Sequence, residues 1–179
     1  MADLSGKKVA FVATNGYEDS ELTEPWRALI DAGAQLVMIA PEPGEIEGKK
    51  GHRQAVDRVS SEVDAAEFDA LVLPGGVVNA DHLRMDEPAV RFARAFFDAG
   101  KPVGVICHGA WLLVEADVVR GRTMTSYPSL RTDLRNAGAE WVDREVVVDD
   151  GFVTSRRPDD LPAFNAKLVE EIGEGVHPA

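Results

Sequence analysis

The chain contains one cysteine, Cys107, and it stands where a thiol can do chemistry. It follows the apolar run Val103-Gly104-Val105-Ile106 and precedes His108-Gly109, after which Ala110 to Ala116 has helical character. A residue pinched between a buried strand and a helix start sits in a sharp turn, the geometry of a nucleophile elbow, with its side chain aimed into a crevice. Gly109 relieves the crowding there. The positive end of the helix and nearby amide hydrogens favour the thiolate, so a depressed thiol pKa is expected. The competing reading is a buried structural cysteine, the usual fate of a free one. His108 is a candidate general base or proton shuttle, yet adjacent side chains normally diverge, and the elbow is expected to turn its ring from the Cys107 pocket towards the rim. Such a base needs an orienting acceptor, for which Asp81 is the candidate.

Three more positions complete the candidate site. Glu18 lies in the first loop, where a carboxyl close to a thiolate has its pKa raised by like charge and, once protonated, donates a hydrogen bond to sulfur. Its neighbours Asp19 and Glu21 are accounted for by the helix dipole alone. Gly75 and Gly76, joined by the amide of His108, allow backbone N–H groups to approach a developing oxyanion, as acyl transfer requires. A lone cysteine excludes an internal disulfide and a multi-thiolate zinc site. His52, His82 and His177 show no ligand spacing, no dinucleotide fingerprint or phosphate loop occurs, and neither metal nor cofactor is assigned.

These residues need a scaffold that gathers strand ends. Val9 to Ala13, Leu36 to Ala40, Ala70 to Leu73 and Val103 to Ile106 are short apolar runs of buried strands. Between the first two, Leu22, Trp26, Leu29 and Ile30 recur at helical spacing, with Pro25 in a first turn and Gly33 closing the helix. Residues 41–64 read as a small hairpin or loop excursion. A helix from about Glu87 to Ala99 buries Ala89, Ala93, Phe96 and Phe97, and another runs from Pro128 to Gly138. Asp149-Asp150-Gly151 between two β-rich runs signals a hairpin. A last helix, starting between Pro158 and Leu161, buries Leu161, Phe164, Leu168 and Ile172, and the tail from Gly173 is expected to be loose. The βαβ beginning predicts a mainly parallel sheet with helices on both faces, in one domain spanning residues 1–179. Loops at the carboxyl ends of its strands, Thr14 to Glu21, Pro74 to Asp81 and Cys107 to Gly109, then share one crevice.

Composition agrees with a folded domain, since 45% of residues are apolar and 28% charged. Scattered basic residues and a formal charge of −12 argue against nucleic acid and anionic membranes as partners. No apolar run approaches the ~20 residues of a membrane span, the first eight residues lack a signal peptide's apolar stretch, and a cytoplasmic location is expected.

Several segments together resemble the PfpI-type intracellular cysteine protease family of the ThiJ/PfpI and class I glutamine-amidotransferase-like superfamily. They are Gly16-Tyr17-Glu18-Asp19-Ser20-Glu21-Leu22, Ala70-Leu71-Val72-Leu73-Pro74-Gly75-Gly76 and Gly100 to Gly109, with Thr125-Ser126-Tyr127-Pro128, Asn136 to Asp143 and Ser155 to Pro162 in order behind them. The resemblance implies a flavodoxin-like sandwich, a nucleophilic Cys107 with His108 as partner, and Glu18 touching the sulfur. It also implies a homodimer or higher homo-oligomer in which the histidine's acidic partner comes from a neighbouring subunit. Asp81 is the best local match, in a loop one residue longer than the family pattern and with Asp in place of Glu. The implied activity is a cysteine-dependent stress-response hydrolase acting on peptides or on dicarbonyl-modified, glycated substrates. The second class is a non-catalytic redox sensor or holdase with an oxidisable Cys107.

Overall fold

The computed structural model describes residues 2–178. In chain order, β1 (Lys8–Val12) leads into α1 (Asp19–Asp31) and β2 (Gln35–Ala40). An excursion follows with β3 (Glu45–Glu47), β4 (Arg53–Ala55) and the short β5 (Arg58–Val59). The centre of the chain supplies β6 (Ala70–Leu73), α2 (Val77–Leu83), α3 (Glu87–Asp98), β7 (Val103–Ile106) and α4 (Ala110–Ala116). Then come β8 (Thr123–Met124), α5 (Arg131–Asn136), β9 (Glu140–Trp141), β10 (Val147–Asp149), β11 (Phe152–Ser155) and α6 (Leu161–Glu174).

Seven strands form the main sheet in the order β10-β11-β7-β6-β1-β2-β5, all pairs parallel except β10 with β11. The chain builds outward from β1 to β2 and β5, then returns to the other side of β1 for β6 and β7. Loops after β1 and β6 therefore diverge, and the crevice opens between them at the carboxyl ends of the strands. Side chains alternate between two helical layers, as the period of two in a strand requires. Val9, Phe11, Ala70 and Val72 face the layer of α1 and α6, while Ala10, Val12, Leu71 and Leu73 face the opposite core with α3 and α4. This is the expected flavodoxin-like sandwich.

The excursion contains the anticipated hairpin, β3 against β4 with Ile46 opposite Gln54. The β10–β11 turn places Asp150 at φ 44 and Gly151 at φ 80. Two consecutive positive angles give a turn whose twist matches the flanking strands.

Several expectations need correction. Residues 77–83 are a helix rather than a crevice loop, because Gly76, at φ 97, turns the chain directly from the β6 exit into α2. Pro25 lies inside α1 instead of its first turn, since the helix already starts at Asp19. Ile30 is 49% exposed and Phe97 only half-buried, both at the margins of their helices' apolar faces. The short pair β8 and β9 has too few residues to show a strand period. The C-terminal segment is docked through a hydrogen bond from His177 N to Gly100 O of 2.8 Å, so it is not a loose tail.

Candidate active site

Cys107 directly follows β7 and adopts φ 62, one of three described non-glycine residues with positive φ. Such an angle costs a side chain steric strain, and the surroundings must hold it. Two contacts do so: Cys107 O accepts from Tyr127 N at 3.2 Å, and Gly109 lies flat against the β6 exit. A Cβ at Gly109 would stand 2.8 Å from Leu73 O and 2.9 Å from Pro74 O, closer than any side chain tolerates. The anticipated elbow is thus built by β7, the β6 exit and the segment at Tyr127.

The thiol is buried and ringed by four groups. His108 Nδ1 lies 3.3 Å from Sγ, so the ring turns into the pocket rather than towards the rim. The reason is stacking: the imidazole lies on Tyr127 with centroids 4.8 Å apart and meets the Trp111 ring edge-on at 5.4 Å. Its far nitrogen, Nε2, faces Ser129 Oγ at 3.3 Å. The amides of Gly76 and His108 lie near enough to the sulfur to favour its anion. The amide of Gly75 does not join them, because it donates to Glu21 Oε1 at 2.9 Å.

The carboxyl against the sulfur is that of Glu21, not Glu18. Glu18 occupies the N-cap position of α1, outside the helix, and its carboxylate pairs with Lys49 and Lys50. Glu21, one turn in, points inward with Leu22, Pro25 and Leu29 and is fully buried. The two lysines belong to the β3–β4 turn, which Asp19 fastens by accepting from Lys50 N at 3.1 Å and His52 N at 2.9 Å. Asp19 therefore does more than complement the helix dipole. Asp81 is exposed on α2 and reaches no group of the site within the chain.

Protonation follows from this geometry. Burial, reinforced by the charge of Glu18, pushes the Glu21 carboxyl up to about 8, so it carries a proton at neutrality. Its Oε2 is buried without a hydrogen-bond partner among the described residues, which makes it the oxygen free to hold that proton. For Glu18, burial raises the pKa but the two lysines outweigh it and hold the carboxyl below its ordinary value. Burial, then the Glu21 charge, pushes the Cys107 thiol up to about 12, against the pull of the His108 and Gly76 amides. The expectation of a depressed thiol pKa is reversed, since desolvation of the anion outweighs two amide donors. Burial, with help from Lys49, lowers the His108 pKa and leaves the imidazole neutral. The resting centre is a thiol, a neutral imidazole at hydrogen-bonding distance and a protonated acid.

The model of the DJ-1/PfpI family matches residues 7–171, which include all of these groups. The chain belongs to the DJ-1/PfpI family. Among relatives, the DJ-1/PfpI chain is 48% identical over 170 residues to the Escherichia coli protein named "Protein/nucleic acid deglycase 2", covering 93% of this chain and 98% of that one. It is 49% identical over 167 residues to "General stress protein 18" of Bacillus subtilis, covering 92% and 96%. Among solved structures, a two-domain protein with DJ-1/ThiJ/PfpI-like and ferritin-like domains from Anabaena variabilis superposes with a TM-score of 0.91 at 36% identity. That match covers 93% of this DJ-1/PfpI chain and 48% of the two-domain one.

Sequence reasoning placed Cys107, His108 and Gly76 at one centre and missed Glu21, Lys49, Ser129 and Tyr127. For Glu21 a signal existed. It shares a helical stripe with Pro25 and Leu29, at steps of four, so an acid there enters the core. Tyr127 and Ser129 flank Pro128, where the sequence reads as the start of a helix, and nothing in that reading points either side chain at the histidine.

Proposed function

We propose that the protein is a cysteine-dependent hydrolase of the PfpI type that releases amines from carbonyl-derived substrates, either dicarbonyl-modified, glycated amino groups or peptides. The 3.3 Å contact between Cys107 Sγ and His108 Nδ1 carries the reading. A thiol pushed up by burial is a weak nucleophile at rest, and a neutral imidazole beside it removes the proton as the sulfur attacks. In that step the S–C bond forms at the substrate carbonyl carbon, the thiol proton passes to Nδ1, and the carbonyl electrons become an oxyanion. The amides of Gly76 and His108, which favour an anion at this centre, are the donors assigned to that oxyanion. On a peptide, collapse breaks the C–N bond while the imidazolium returns its proton to the leaving amine; on a dicarbonyl-modified amine the sulfur instead displaces the protonated amine at the carbinol carbon, and a hydrogen shift from that carbon to the neighbouring carbonyl carbon leaves a thioester. Water then cleaves the S–C bond and frees the thiol.

The deglycase name of the Escherichia coli relative favours glycated substrates over peptides, and the stress-protein name of the Bacillus relative supports a role under stress. Among the described residues no helix is long and apolar enough to cross a membrane. We further propose a homo-oligomer in which Asp81 of one copy approaches His108 of another, since α2 leaves Val77 and Val78 each 51% exposed beside the crevice.

Release of free amine from methylglyoxal-modified lysine, followed for the wild type, Cys107→Ser and His108→Ala, tests the reading. Turnover lost in both variants is expected. Oxidation of Cys107 by peroxide with no turnover on modified lysine or peptide would replace the hydrolase with a redox sensor, a role the protonated Glu21 beside the sulfur would also serve.

A further inference from the structure

Far from the crevice, the end of α6 and the chain beyond it gather Glu171, Glu174 and His177, whose ligand atoms all lie within 4.8 Å of one another. Gly175, at φ 85, turns the chain out of the helix and back along the sheet. His177 N then donates to Gly100 O, and the His177 ring packs on Gly151, where an added Cβ would stand 2.9 Å from Cδ2. Held in this way, His177 Nε2 points at both carboxylates, 3.7 Å from Glu171 Oε1 and 3.6 Å from Glu174 Oε2.

The cluster is incomplete without a further group. His177 Nε2 is buried and makes no hydrogen bond among the described residues. The Glu171 side chain is 8% exposed, and no described lysine or arginine forms a salt bridge with it or with Glu174. A buried carboxylate beside a second one, with no strong cation, is costly to keep. A metal ion between the three would satisfy the nitrogen and offset both negative charges.

We propose that Glu171, Glu174 and His177 bind one divalent transition-metal ion of the zinc type, which latches the C-terminal segment onto the β10–β11 turn. One imidazole and two carboxylates make a borderline donor set that suits zinc better than calcium or magnesium, which prefer oxygen alone. Ligands at ~2.0–2.1 Å from a tetrahedral zinc stand roughly 3.3 to 3.4 Å apart. The observed 3.6 and 3.7 Å need shifts of only a few tenths of an ångström. Glu174 is 53% exposed, so the ion has an entry from solvent and water can complete its coordination. The sequence alone hides this set, because His177 lies past the helix end and only the reversal at Gly175 returns it to Glu171.

The test is calorimetric titration with Zn²⁺ in a Cys107→Ser background, which removes the thiol as a competing ligand. One ion per chain is expected, together with a rise in melting temperature and, for Co²⁺ in its place, a visible absorption band from nitrogen and oxygen ligands. His177→Ala and Glu174→Gln should each weaken binding by at least about tenfold and abolish the rise. Both residues are partly exposed, so neither change threatens the fold. No saturable binding, or equal affinity in both variants, would overturn the proposal and leave the cluster an ordinary ion pair between His177 and the two acids.

Discussion

Glu21 and Cys107 are two protonated acids buried beside one another, with the amide of Gly75 holding Oε1 of the carboxyl at 2.9 Å. The pair links stability to chemistry, because the surroundings that keep both groups neutral also exclude water from the sulfur.

The first prediction concerns stability against pH. The Glu21 carboxyl is raised from 4.5 to about 8, so the folded chain keeps a proton that the unfolded chain releases within that window. Its contribution is complete below 4.5 and is lost as pH rises through about 8. Glu21→Gln preserves shape and removes the titration. Denaturant unfolding across the window should show the wild type losing on the order of a few kcal/mol that the variant does not lose. Parallel profiles would mean that Glu21 is ionised in the folded protein.

Thiol alkylation tests the other half of the pair. With Cys107 pushed up to about 12, its alkylation rate should keep climbing through the alkaline range. A plateau near ~8.5, where a free thiol titrates, is not expected. Above about pH 8 the ionised Glu21 opposes the thiolate, so Glu21→Gln should react faster there. A rate already level at neutrality would restore the depressed thiol that the helix-dipole argument expects.

A third prediction follows from the neutral imidazole. His108→Ala should lower kcat/KM by roughly 10² to 10⁴, the usual contribution of a positioned general base. Because burial lowers its pKa, activity should fall on the acid side only below pH 6.5, the ordinary value for histidine. An acid limb centred at or above that value would assign the proton transfer to another group.

The sheet and elbow were legible because the buried parallel strands are continuous apolar runs and Cys107 sits at the end of one. The assignment of Glu18 over Glu21 failed for a different reason: both acids lie near a helix start, and only the boundary at Asp19 decides which lies outside the helix and which enters the core. The reversed pKa of Cys107 was hidden because desolvation depends on the Glu21 carboxyl and the β6 exit, groups distant in sequence. Helix α2 was missed because its seven residues are too few for a 3.6 period to stand out and the Pro-Gly-Gly before it reads as a loop.

The last prediction asks what orients His108. Among the described residues, Nε2 faces only the Ser129 hydroxyl, at 3.3 Å, and a neutral hydroxyl stabilises a developing imidazolium less than a carboxylate does. Asp81 stands exposed on α2, the helix that carries Val77 and Val78 at 51% exposure and leads to Met85 at 82%. A second copy seated on this face would cover those apolar side chains and deliver its own Asp81 towards the crevice, where exclusion of water strengthens a carboxylate to imidazole hydrogen bond. Sedimentation should therefore show a dimer or larger species, and Val77→Glu should dissociate it and reduce turnover together. Asp81→Asn should leave the assembly intact and lower kcat, and Ser129→Ala should cost less. A wild-type monomer with full activity would end the shared-site reading, whereas an oligomer indifferent to Asp81→Asn but disabled by Ser129→Ala would give the orienting role to the hydroxyl of the same chain.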